Sequence, residues 1–96
     1  MSPLKFTLEY PSELPSAPDD FLLPDVVRSV VTTAETAGFS AVALSEHPAP
    51  SAKWRGNGGH NTLDPIAALG FMAAATTSIK LLTNLIVLPF HNPYQA

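Results

Sequence analysis

At 96 residues the chain has room for one ordinary domain, and 46% apolar residues give it the material for a core. Five Lys and Arg stand against eight Asp and Glu, a net charge of −3 with no basic stripe, which argues against nucleic acid as a partner. Zero cysteines exclude disulfides, thiolate metal sites and a cysteine nucleophile. No run of about 18 apolar residues is present to span a membrane, and the start MSPLKFTLEY carries no apolar secretory segment, so a cytoplasmic protein is expected.

The chain opens with an alternating stretch. Leu4, Phe6, Leu8 and Tyr10 share one side and Lys5, Thr7 and Glu9 the other, which reads as a strand with one face wet or lining a cavity. Residues Pro11–Leu23, with Pro11, Pro15 and Pro18, read as a long loop. Pro24 opens a helix whose apolar face is Val26, Val27, Val30, Val31, Ala34 and Ala37. Gly38 suits the position just past its end, where a positive φ is wanted.

A second strand is expected over Phe39–Glu46, with Val42 and Leu44 toward a helix layer and the small residues Ala41, Ala43 and Ser45 on the other face. His47 follows with the parity of the small residues, at the end of the strand. Pro48–Leu63 is a sixteen-residue loop, longer than the usual α/β connection. Asp64-Pro65 then supplies an N-cap and a first-turn proline for a second helix. Its buried face is expected to be Ile66, Leu69, Met72, Ala73 and Thr76, with Thr77-Ser78 ending it.

Seven of the ten residues Ile79–Leu88 are Leu, Ile or Val, without alternation. Such a strand is expected to be covered on both faces, the habit of a parallel sheet. Pro89 would stop its ladder, and Asn92-Pro93 reads as the opening of another helix. The order strand, helix, strand, helix, strand implies right-handed crossovers and parallel strands. A (β/α)8 barrel takes about 250 residues. Residues 1–96 are therefore expected to form an N-terminal α/β segment of a TIM barrel, cut at the start of a third helix.

The segment Phe39–His47 with its Glu46-His47 ending, the Asp64-Pro65 helix start and the stretch Ile79–Pro93 with Val87-Leu88-Pro89-Phe90-His91-Asn92-Pro93 together resemble the N-terminal part of the luciferase-like monooxygenase superfamily. Each piece is weakly specific, and the ordered set is much more so. The resemblance implies a TIM barrel with its active site at the C-terminal strand ends, FMN or the deazaflavin F420 as cofactor, and a small-molecule substrate. It implies a bulge with a non-prolyl cis peptide on the third strand, at Thr83-Asn84-Leu85, against which the ring rests. Many relatives carry Gly where Asn84 stands here.

On that basis His47 is the expected catalytic residue, moving a proton beside the ring, because an imidazole exchanges protons near neutrality. The bland alternative is a histidine bonded to backbone. Glu46, Thr83, Asn84 and Leu85 are the expected cofactor contacts, with Glu46 orienting the ring edge or a neighbouring donor, or else simply solvated. Glu9 and Tyr10, at the same mouth, are expected to be structural. In the long loop Arg55 could pair with a phosphate or carboxylate and Trp54 could cover a ring, but a surface loop with one aromatic anchor is the expected reading, and Gly56-Asn57-Gly58-Gly59 lacks the features of a phosphate loop. His47, His60 and His91 have no metal-site spacing, so no metal is expected. The segment alone is expected to be inactive. The competing expectation is a small α/β binding module that covers its open edges by self-association into a homo-oligomer.

Overall fold

The computed structural model describes residues 4–14, 17–47, 53 and 62–94. Three strands, β1 (Thr7–Glu9), β2 (Ala41–Leu44) and β3 (Lys80–Thr83), form one sheet in the order β1-β2-β3. Both pairings are parallel, with Leu8 opposite Val42 and Val42 opposite Leu81. Helix α1 (Pro24–Ala37) crosses from β1 to β2 and helix α2 (Pro65–Ala75) precedes β3. This is the expected β-α-β-α-β arc of parallel strands. Among the described residues no helix is long and apolar enough to cross a membrane.

Local chemistry sets the helix limits. Pro24 occupies the first turn of α1, where a missing N–H costs nothing. Gly38 ends it at φ 95°, in the left-handed region, with its N–H turned back to the last carbonyls of the helix. Asp64 caps α2, its Oδ2 accepting from Ala67 N at 2.9 Å.

The core lies between the two helices and one face of the sheet. Val42 and Leu44 are fully buried there with Val31 and Met72, and Val27, Ala34 and Leu69 join them. Ala43 is 1% exposed yet stands outside that cluster, on the opposite face of β2. Arg28 of α1 stacks over the Phe71 ring of α2, 5.4 Å from its centre, which fastens the helices above the core.

The α2 face is rotated from expectation. Pro65, Leu69 and Met72 are buried, Ala68, Phe71 and Ala75 flank them, and Ile66 and Ala73 point outward. On α1, Ala37 is exposed. β1 is shorter than the alternation suggests, and Leu4 and Phe6 are exposed. The connection after it contains 3-10 turns at Pro11–Glu13 and Asp19–Leu22.

The largest correction is β3, which spans Lys80–Thr83 rather than the ten residues to Leu88. Its continuation loses its ladder donors to other acceptors. Val87 N–H goes to the Glu46 carboxylate, and Phe90 and His91 N–H close a 3-10 turn on Val87 and Leu88 carbonyls. Pro89 sits inside that turn, after the ladder has already ended. Nor is β3 covered on both faces: Leu81 and Leu82 are 39% and 44% exposed, because β3 is a sheet edge among the described residues. Asn92 Oδ1 accepts from Tyr94 N at 2.9 Å, the Asx bond of a turn start.

Candidate active site

Because the three strands are parallel, the residues that follow them gather at one end of the sheet. The ladder runs past the strands proper: Tyr10 N–H donates to Ala43 O, Asn84 N–H to Leu44 O at 2.8 Å, and Glu46 N–H to Leu85 O at 3.0 Å. The Asn84–Leu85 peptide bond is cis, at the place the resemblance indicates. Asn84 and Leu85 are exposed, Leu85 to 61%. Thr83 pairs with Leu44 and shares its helix-side face, so at the mouth it offers its backbone rather than its side chain.

His47 is partly buried, with its Nε2 3.1 Å from Ser45 Oγ. The hydroxyl and imidazole orient each other at the strand end. Glu46 and His47 line a recess of about 190 Å³ with Thr62, Leu63, Asp64 and Pro65, so both helix α2 and the end of β2 contribute to it.

Glu46 is not a solvated charge. Its side chain is 7% exposed, and it reaches Val87 N at 2.7 Å and the Nε2 of His91 at 2.7 and 2.9 Å through its two oxygens. A carboxylate only accepts, so Nε2 of His91 carries the hydrogen. The His91 bond, aided by the Val87 N–H, holds the carboxyl below the usual carboxylate range against the opposing effect of burial. The sequence reading leaves this pairing out. The usable signal was that Glu46 and His91 follow neighbouring parallel strands, and that a buried carboxylate needs donors.

Tyr10 is structural, as expected. It is fully buried, its hydroxyl donates to Phe21 O at 2.5 Å, and its ring meets the Phe21 ring edge-on at 6.2 Å. Burial pushes its phenol up to about 12. Trp54, Arg55, Gly56-Asn57-Gly58-Gly59 and His60 lie outside the described residues. Among the described residues no group of three His, Cys, Asp or Glu is placed to hold a metal ion.

At this end Leu85 offers an exposed apolar side chain, of a kind that can lie against the flat face of a flavin-type ring, while its carbonyl is held by Glu46 N–H. The described lining of the recess carries two carboxylates, Glu46 and Asp64, beside the His47 imidazole.

A family model described as luciferase-like monooxygenase matches residues 11–96. No curated protein and no solved structure matches the chain. Proteins of this family are TIM barrels that generally use flavin or F420, and the β1-β2-β3 arc is compatible with part of such a barrel. Since the match takes in both helices, β2, β3 and every strand-end residue from Ser45 to His91 discussed above, this chain belongs to the luciferase-like monooxygenase family.

Proposed function

We propose that the chain provides the opening βα units of a flavin- or F420-dependent oxidoreductase or monooxygenase acting on a small molecule in the cytoplasm. One observation carries this reading. His47 and the Asn84–Leu85 backbone stand at the same end of the parallel arc, linked through the 3.0 Å bond from Glu46 N–H to Leu85 O. When bound, FMN or F420 supplies hydride transfer, or oxygen activation in the case of reduced flavin.

The chain's own residues would do the rest. Asn84 and Leu85, with the Thr83 backbone, support the ring. The Glu46 N–H fixes the Leu85 carbonyl. His47, steadied by Ser45 Oγ, holds or delivers a proton at a ring nitrogen. An open three-stranded arc does not shut water out of a reaction chamber, so these 96 residues alone are expected to show no turnover with reduced FMN or F420. Steady-state turnover by the purified chain would overturn that part. Chemical-shift mapping with each cofactor tests the site: His47, Asn84 and Leu85 respond if the reading holds, and a response confined to other residues refutes it.

A second reading has its own support. Leu81, Leu82, Leu85, Leu88 and Phe90 are all more than a third exposed along and after the β3 edge, which favours self-association without catalysis. A monodisperse oligomer in light scattering with no affinity for either cofactor would select it.

A further inference from the structure

We propose that Glu46 and His91 form a positioning pair that holds the backbone flanking Asn84–Leu85 in place without touching the cofactor. The inference rests on reading Asn84–Leu85 as the ring support.

The geometry points to Glu46 as a grip with two hands. Its main-chain N–H holds Leu85 O at 3.0 Å, and its carboxylate Oε1 holds Val87 N–H at 2.7 Å. The chain leaving β3 is thus fixed two residues apart by one residue of β2's exit. His91 completes the arrangement from the far side of the Leu88–Phe90 turn, its Nε2 at 2.7 Å from Oε2. That turn is closed by Phe90 N–H on Val87 O and His91 N–H on Leu88 O, both 3.0 Å, so Val87 and His91 move as a unit. With side chains 7% and 21% exposed, Glu46 and His91 are largely withdrawn from the mouth. His47 lines the recess and has its Nε2 on Ser45 Oγ, not on Glu46 or Val87. The two histidines therefore have separate duties, one facing the recess and one holding the frame.

A buried carboxylate that loses its strongest donor either turns toward water or takes up a proton. Either change releases Val87, and with it the path of the chain from residue 85 onward. Substituting His91 by Gln keeps a donor at that end, whereas Ala does not.

The test is amide exchange and shift mapping by NMR on the whole chain, comparing wild type, His91→Ala, His91→Gln and Glu46→Gln. His91→Ala is expected to speed exchange at Val87 and at Glu46 N–H at least about tenfold, the scale of a lost charge-assisted bond. Val42 and Leu44 amides serve as the folding control and stay protected. In wild type the Val87 amide shift follows ionisation of Glu46 on acidification. His91→Ala moves that midpoint upward, and His91→Gln restores most of both effects. His47 and Asp64, the ionisable neighbours that line the recess with Glu46, are followed through their own signals. FMN- and F420-induced shifts at Asn84 and Leu85 are then expected to shrink in His91→Ala and return in His91→Gln. Unchanged exchange at Val87 in His91→Ala overturns the proposal whatever the cofactor does. Faster exchange with no response of Asn84 or Leu85 to either cofactor, even in wild type, overturns instead the ring-support reading on which the proposal stands.

Discussion

The two ends of the sheet are each fastened by a glutamate, and they are fastened differently. At the N-terminal end of β3, Glu35 near the close of α1 accepts from the backbone N–H groups of Thr77, Ser78 and Ile79 at 2.9, 2.7 and 2.9 Å. At the C-terminal end, Glu46 takes one backbone N–H and one imidazole. Glu35's donors never titrate. They bring its carboxyl down to about 2, with Ser78 N–H the largest cause and Ile79 N–H next. Glu46 is held down chiefly by its hydrogen bond to the His91 side chain. The lower end is thereby built for permanence. The upper end rests on a contact between two side chains.

Substitution can break this comparison at several strengths. Leu44→Ala empties a fully buried position on the strand that joins both ends, and is expected to cost about 2–5 kcal/mol in urea unfolding. Both sets of amides, Thr77–Ile79 and Val87, should lose protection together. Glu35→Gln should act at the lower end alone, lowering Tm by roughly 5 °C while leaving the Val87 and His91 signals in place.

Acid sharpens the same point. Glu35 has a folded value of about 2 against an ordinary 4.5, so its contribution is fully present above pH 4.5 and is lost as pH falls through about 2. Wild type should lose stability across that window, and Glu35→Gln should lose less of it. Glu46 is depressed too and contributes with the same sign, so the variant's curve retains some slope.

Tyr10→Phe removes the bond to Phe21 O at the upper end and is expected to cost about 1 kcal/mol, with no effect on Thr77–Ile79. Ile66→Ala, on the outward face of α2, touches neither end and should change stability by less than about 0.5 kcal/mol in the same unfolding assay.

Much of the scaffold is legible in local chemistry. Pro24 and Gly38 bracket α1, and Asp64-Pro65 opens α2, because each acts on the few backbone groups beside it. The parity of Val42 and Leu44 against Ala43 and Ser45 fixes which side of β2 meets the helices. Legibility fails where no local contrast exists. PIAALGFMAAA has no polar stripe to mark its outer face, so the rotation of α2 is decided only by what it packs on. The apolar run after Thr83 looks like strand by composition. Its end is set by Glu46, forty-one residues before Val87, taking the N–H that a strand would have used. The Glu46–His91 pair spans forty-five residues and exists only once two parallel strands lie side by side.

β2 is the central strand, and its register binds it to both neighbours over the same residues, Ala41–Ala43 on one side and Ala41–Leu44 on the other. Alternation along its exit then turns Glu46 to Val87 and His91 and turns His47 to Ser45, while both border the recess. Loss or gain of a single residue between Leu44 and His47 would exchange those assignments, swinging the imidazole into the packed layer and the carboxylate toward the opening. The tetrad Leu44-Ser45-Glu46-His47 therefore behaves like a reading frame: substitutions within it are graded in effect, but a shift of phase would be total.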